Sequence, residues 1–292
     1  MDLSLGYGFT ATQRGDTYAA IDPLKSNLCG KNVLITGAAR GLGHAIALSY
    51  AKAGASGIAV LDILDRSTAI MADLKEAASA AGRPEPDIVI LVTDITDRSA
   101  VENAAKTVKS HFGALDILIN NAGAMHPYSN MGETDPDRWW RAWEVNVKGT
   151  YLMTRTFLPM ILESKDKTII VMSSIGALHT LPGGSGYETT KLAVLKLNNY
   201  LMAEYGSQGL LAYGVAPGGI HTDMAVDFPA HLYELLTDTP QMVADTITFL
   251  TKERREWLAA RYVDSRWDMT QMLERQEEII EKDLLKVKLQ VS

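Results

Sequence analysis

Three side chains of this 292-residue sequence have the types and spacing needed to move a proton. Tyr187 and Lys191 stand in the stretch YETTK, and Ser174 lies thirteen residues upstream in VMSSIGA. A free phenol has a pKa near ~10 and is a poor base at neutral pH. An ammonium group at i+4, one helical turn along, stabilises the phenolate, and with a second positive charge from a bound cofactor a shift of roughly two to three pH units is expected. Ser174 ends an apolar run, where its hydroxyl can hold a substrate oxygen in line with the Tyr187 hydroxyl. Taken singly, Tyr-x-x-x-Lys reads as a surface helix pair and Ser173-Ser174 as a strand-end turn. Their order and spacing, with a second constellation upstream, carry the chemistry.

That second constellation is TGAARGLG. Gly37, Gly41 and Gly43 follow the apolar run Val33-Leu34-Ile35 and open a helix near Leu42. Glycine is required where a chain turns sharply and lets phosphate oxygens approach the backbone. A helix N-terminus then offers unpaired N–H groups and partial positive charge, which suits the pyrophosphate of a dinucleotide. The spacing is G-x-x-x-G-x-G rather than the general G-x-G-x-x-G, so its place after the first strand gives it weight. Asp62 ends the second apolar run, where a carboxylate accepts from the adenosine ribose hydroxyls and repels a 2′-phosphate. Arg40, inside the turn, pulls toward a 2′-phosphate, and Asp65 and Arg66 stand close by. The balance favours NAD over NADP. Asp94, after the third run, has two readings: contact with the adenine amino group, or an N-cap for the helix starting near Thr96.

The elements that must position these groups are legible from periodicity. Continuous apolar runs at 33–35, 58–61, 88–92, 117–119, 168–172 and 210–215 read as strands covered on both faces. Helical stretches separate them at 41–54, 67–81, 98–112, 136–163, 187–206 and 240–250. A further strand is expected at Arg261-Tyr262-Val263. Such alternation predicts an α/β fold: a single-domain, Rossmann-type, doubly wound parallel sheet of about seven strands with helices on both faces. Residues 1–30 read as an N-terminal arm on the domain surface, 31–269 as the catalytic domain and 270–292 as a charged C-terminal helix or tail.

Composition narrows the function. The net charge of -7 argues against nucleic-acid or anionic-membrane binding, which call for clustered Lys and Arg. Cys29 is the single cysteine, which excludes an internal disulfide and a thiolate metal cluster and fits a reducing compartment. With no secretory signal or membrane span in the pattern, a cytoplasmic protein is expected. His126, His179 and His221 show no metal-ligand spacing, so no metal is expected.

With these motifs in hand, the chain from about Lys31 to Val263 resembles the classical short-chain dehydrogenase/reductase family, and it looks similar to fungal members. The resemblance implies a role for each matching segment. TGAARGLG is the cofactor turn, and Asp94-Ile95 is the pair beside the adenine. Asn120-Asn121-Ala122-Gly123 is the NNAG that steadies the central strand, with Asn121, Ala122 and Gly123 at the cofactor. Val145-Asn146-Val147 carries the asparagine that holds a water leading to Lys191. Ser174, Tyr187 and Lys191 are the catalytic serine, tyrosine and lysine, with Tyr187 and Lys191 also touching cofactor. Pro217, Gly218, Ile220 and Thr222 belong to the PG-x-x-x-T that binds the nicotinamide carboxamide. The family's VDGG-like ending is absent; Arg261 to Asp268 and a charged helix stand in its place.

The implied activity is NAD(P)-dependent interconversion of a secondary alcohol and a ketone, with Tyr187 as general acid and base. A non-redox dehydration or cyclisation on the same scaffold, and a non-catalytic dinucleotide-binding scaffold, are the alternatives. The pocket wall is expected from Met125, His126 and Tyr128, from His179, Leu181 and Pro182, and from Met224, Phe228, His231 and Tyr233. These predict a medium-sized, largely neutral alcohol or ketone. In the resembling family the apolar faces of 136–163 and 187–206 pack between subunits, so a homodimer or homotetramer is expected.

Overall fold

The computed structural model describes residues 6–289, except for the side chains of Val226, Asp227 and His231. Seven parallel strands form one sheet in the order β3-β2-β1-β4-β5-β6-β7. They are β1 (Asn32–Thr36), β2 (Gly57–Asp62), β3 (Asp87–Val92), β4 (Ile117–Asn120), β5 (Thr168–Met172), β6 (Leu211–Ala216) and β7 (Tyr262–Asp264). The strand order reverses between β1 and β4, and an open parallel sheet binds ligands in the crevice at such a switch point.

Side chains along each strand alternate between two cores. Val33, Ile35, Ile58, Val60, Ile117 and Ile119 face one core. Leu34, Ala59, Leu61 and Leu118 face the other. The first is closed by α1 (Gly41–Lys52), α2 (Ser67–Ala80) and α7 (Pro240–Thr251), through Ile46, Tyr50, Ile70, Leu74 and Ile247. The second is closed by α3 (Arg98–Phe112), α5 (Thr150–Leu162) and α6 (Ser185–Tyr205), through Val101, Val108, Phe157, Ile161 and Val194. Both faces of the sheet are therefore covered, which is why the strand sequences are apolar without alternation.

The stretch expected as one helix over 136–163 is three pieces. α4 (Pro136–Trp143) starts at Asp135, whose carboxylate accepts from the Asp137 and Arg138 amides. A π-helical turn, Glu144–Gly149, follows and leads into α5. Asn146 sits in this turn, a distortion that recurs at functional sites. The wider turn is invisible to a 3.6-residue period.

The N-terminal arm is more than a surface appendage. Ile21 and Leu28 are fully buried. Phe9 packs on Trp267 with ring centroids 4.7 Å apart, and Arg14 pairs with Asp268 at 2.6 Å. Thr12 donates its amide to Gln271 at the start of the tail, at 3.0 Å. The tail itself holds α8 (Met269–Glu274) and α9 (Gln276–Glu281). The segment replacing the family's usual ending thus forms a joint with the arm. Among the described residues no helix is long and apolar enough to cross a membrane.

Candidate active site

The carboxyl ends of the strands bring both constellations to one edge. β1 delivers the glycine turn. Gly43 is obligatory there for packing: a Cβ would lie 2.2 Å from the Gly37 carbonyl oxygen and 2.6 Å from Asn121 Nδ2. Gly41 differs. Its φ is +56°, and a Cβ would meet nothing within 4 Å, so the space over the turn is open. No side chain caps α1 at Arg40, which leaves the first-turn N–H groups directed at that space. An anionic pyrophosphate fits this cradle.

Asn121 braces the turn from β4. Its Nδ2 donates to the Thr36 and Gly37 carbonyls at 2.9 and 3.1 Å. The Thr36 hydroxyl accepts from the amides of Asn121 and Ala122, each at 3.0 Å. The NNAG segment is thereby welded to the turn it was expected to adjoin. Asp62, at the end of β2, accepts from the Ala39 amide at 2.9 Å and the Leu64 amide at 3.0 Å. Arg40 pairs with Asp223 across the crevice at 2.6 Å. Leu42 lies inside the first turn of α1 and packs against the first core.

The cap reading of Asp94 does not hold. Asp97, not Asp94, caps α3 by accepting from the Ser99 and Ala100 amides. Asp94 accepts from the Thr96 amide and hydroxyl, each at 2.8 Å, and approaches Arg141 at 3.4 Å. Ile95 is buried and packs on Gly149, where a Cβ would come within 2.6 Å of its Cδ1.

Ser174 follows β5 and accepts from the Gly176 amide at 3.1 Å. Tyr187, near the start of α6, neighbours that hydroxyl, which favours its phenolate. Lys191, one turn along α6, has its ammonium 5.5 Å from the Tyr187 ring centroid. That ammonium donates to the Met172 carbonyl at 2.9 Å, while the Ser173 hydroxyl donates to the Lys191 carbonyl at 3.0 Å. Serine, tyrosine and lysine are thus brought together and locked to the end of β5.

The electrostatics of the protein's own groups oppose the expected shift. Burial pushes Tyr187 up to about 12, with the Ser174 hydroxyl opposing and the Glu188 charge assisting. Burial also drives Lys191 down to about 8. The protein's own groups therefore raise the phenol's pKa instead of lowering it. Desolvation of the half-buried ring outweighs the Ser174 hydroxyl, which favours the phenolate.

Asn146 is buried, and its side chain clamps the Ala124 backbone in both directions. Its Oδ1 accepts from the Ala124 amide at 2.8 Å, and its Nδ2 donates to the Ala124 carbonyl at 2.9 Å and to the Thr190 hydroxyl at 2.9 Å. A Cβ on Gly123 would lie 3.3 Å from Asn146 Oδ1, 3.4 Å from Met224 Cε and 3.7 Å from Lys191 Nζ, so these groups converge there.

After β6, the Gly219 amide donates to Asp238 at 2.7 Å, and Ile220 bridges to Asp238. Pro217, Gly218 and Thr222 complete that loop. On the substrate side, Phe228 meets Tyr128 edge to face with centroids 5.5 Å apart. Met125 and His179 are half-buried. His126 is buried against Gly186 and stacks near Tyr128 with centroids 6.4 Å apart. The His231 side chain lies outside the described residues. Sequence reasoning missed Glu188, a buried carboxylate directly after Tyr187.

A family model described as short chain dehydrogenase matches residues 31–232. The chain belongs to the short-chain dehydrogenase family. Membership makes it an enzyme of the NAD(P)-dependent dehydrogenase/reductase class. Among its relatives, the short chain dehydrogenase pigC of Monascus ruber is 44% identical over 286 residues, covering 97% of this chain and 94% of that one. The short chain dehydrogenase andI of Emericella variicolor is 38% identical, covering 97% of each. Among solved structures, the 3-ketoacyl-(acyl-carrier-protein) reductase of Brucella melitensis, complexed with NADH, aligns with a TM-score of 0.70 at 28% identity. It covers 82% of this chain and 97% of its own. Carveol dehydrogenase of Mycobacterium avium, in complex with NAD, shares the dehydrogenase fold at a TM-score of 0.71 and 20% identity, covering 82% of this chain and 97% of its own.

Proposed function

We propose that this dehydrogenase interconverts a secondary alcohol and a ketone, with Tyr187 as general acid and base. The observation that carries the reading is the gathering of Ser174, Tyr187 and the Lys191 ammonium, which is anchored to the Met172 carbonyl, at the sheet edge that also holds the open glycine cradle. NAD or NADP fits the residues present. The turn from Gly37 to Gly43 and the N-terminus of α1 would hold the pyrophosphate, Asp62 the ribose, Ala122 and Gly123 the middle of the cofactor, and Pro217 to Thr222 the carboxamide. Bound there, the nicotinamide supplies or accepts the hydride.

The chain's own residues handle the proton. Ser174 holds the substrate oxygen by a hydrogen bond. The raised pKa of Tyr187 keeps its phenol protonated at neutral pH, ready to donate to an alkoxide as it forms. Lys191 adds positive charge behind the ring and stabilises the developing anion. Asn146 fixes the backbone at Ala124 beside Lys191, which keeps the floor of the pocket in register.

Asp62 supports a preference for NAD, since its carboxylate would face a 2′-phosphate and Arg40 is already paired with Asp223. For the substrate, the segments 124–130 and 175–184 contain no Lys or Arg and bring Tyr128 and Phe228 together. That supports a medium-sized, largely neutral ketone or alcohol over a phosphorylated one. The exposed rings of Trp140, Tyr151 and Tyr200 support a homodimer or homotetramer through α4 to α6.

The test is Tyr187→Phe, assayed against ketone and secondary-alcohol panels with NADH and NADPH side by side. Turnover is expected to fall at least ~100-fold while cofactor affinity stays near wild type. Undiminished turnover removes the tyrosine from the mechanism.

A further inference from the structure

The loops that wall the pocket meet at a buried charge that the proton transfer does not use. Glu188 follows Tyr187 on α6 and is only 6% exposed. Its Oε2 accepts the Leu181 amide at 3.1 Å. Its Oε1 accepts from the Tyr128 hydroxyl at 3.5 Å and lies 3.5 Å from His179 Nδ1. Two glycines make room for it. A Cβ on Gly184 would sit 2.6 Å from the Glu188 Cδ. One on Gly176 would sit 3.1 Å from its Cγ and 3.3 Å from Ser174 Oγ. The carboxylate therefore runs between two turns of the 175–184 loop, next to the catalytic serine. The two loops also touch directly, since a Cβ on Gly183 would lie 3.0 Å from the Ser129 amide nitrogen.

We propose that Glu188 is a positioning residue for the substrate: its buried carboxylate ties the loops carrying Tyr128 and His179 to the catalytic helix and so fixes the pocket wall beside Tyr187. The proposal rests on the proton-transfer reading above. A buried carboxylate is expensive to desolvate and is retained only with partners. Those facing Glu188 come from three elements: Tyr128 after β4, His179 and Leu181 after β5, and Tyr187 on α6 itself. Burial raises its pKa above the ordinary carboxylate range, against the Leu181 amide, His179 and Tyr128, which favour the anion. A residue that only stabilised the fold would need no link to both walls. With the tie intact, Tyr128 carries Phe228 on its edge, so the wall is set as a unit.

The experiment compares wild type with Glu188→Ala and Glu188→Gln by amide hydrogen exchange and by steady-state kinetics on a ketone the wild type reduces. In Glu188→Ala, exchange is expected to rise in both 124–130 and 176–184. KM for the ketone should rise at least ~10-fold, while kcat moves less than about threefold and NADH affinity is unchanged. Glu188→Gln keeps an acceptor for Leu181 and should restore most of the loop protection and of KM. Wild-type exchange in both loops, or an unchanged KM with only a lowered thermal midpoint, overturns the proposal. If Glu188→Ala does not fold, Tyr128→Phe and His179→Ala each remove one tie, and unchanged exchange in both overturns it equally. Tyr187→Phe in the same series separates the two claims: retained turnover there sinks the redox reading, while the exchange data still report on Glu188.

Discussion

The two halves of the catalytic edge are built by different means. Around β1, β2 and β4 the cofactor half is made of backbone: a glycine turn, strand ends and an uncapped helix, with Asn121 bonding to main-chain carbonyls. After β4 and β5 the proposed substrate half is made of long loops gathered about the Glu188 side chain. Backbone geometry dictates residue type, because only glycine fits where a Cβ would collide or φ is positive. A side-chain cluster dictates no such spelling. The first half can therefore be read from a sequence, and the second must be seen folded.

Two glycines two residues apart, Gly41 and Gly43, break this comparison most sharply. Gly43→Ala drives a Cβ to 2.2 Å from the Gly37 carbonyl, where backbone must move. We expect a loss of stability of roughly 3 kcal/mol or more, read by urea unfolding, and no measurable dinucleotide binding. Gly41→Ala meets no protein atom but sits at φ +56°. It should cost only about 1–2 kcal/mol of stability and still weaken NADH at least ~10-fold, because the methyl group intrudes on the cradle. Equal effects of the two changes on stability and binding would show that the open space has nothing to do with the cofactor.

The same contrast explains what the sequence disclosed. All seven strands were legible because apolar runs without alternation have one meaning in a sheet covered on both faces. The π-helical turn at Glu144–Gly149 was not, since nothing in EVNVKG breaks a helical pattern. The arm was read as surface because it is polar and glycine-containing, yet Phe9 packs on Trp267 from the far end of the chain, and Ile21 and Leu28 are buried. In the site, Ser174, Tyr187, Lys191 and the glycine turn, all legible as motifs, lie at one edge of the sheet. The desolvation that opposes the expected Tyr187 shift was not legible, because it depends on burial that only packing reveals. Glu188 carried no signal beyond a carboxylate beside a tyrosine.

Burial of the proton-transfer pair predicts a stability penalty tied to pH. Lys191 titrates at about 8 in the fold against 10.5 as its ordinary value. Between those values the unfolded chain holds a proton that the folded one has released, so stability rises with pH across that window. Holding the charge at pH 7 costs on the order of 3 kcal/mol. Lys191→Met should therefore be more stable than wild type at pH 7, by somewhat less than this because the Met172 carbonyl loses its donor. The difference should close as pH approaches 10. Tyr187, raised from 10 to about 12, acts in the opposite sense: the unfolded phenol ionises first, and stability falls above pH 10. Urea midpoints of wild type and Lys191→Met from pH 7 to 10 that run parallel would contradict the buried ammonium.

The smallest expected effect lies at the boundary between backbone and side-chain control. Asp62 is fastened by two amides, so its position belongs to the backbone-built half, yet its charge acts as a side-chain determinant. A carboxylate facing a 2′-phosphate across partly solvated space opposes it by about 1–2 kcal/mol. Asp62→Asn keeps one acceptor oxygen and removes the charge. The kcat/KM ratio of NADPH to NADH should then rise about tenfold. Arg40 offers a second step. Its pair with Asp223 is solvent-exposed on both sides, with side chains 54% and 70% accessible, so it is weak and readily exchanged. Adding Asp223→Ala to Asp62→Asn should free the guanidinium for a 2′-phosphate and raise the ratio again, by a smaller factor. A ratio that moves with neither change would place the coenzyme's adenosine ribose away from the end of β2, and with it the outer boundary of the cofactor half.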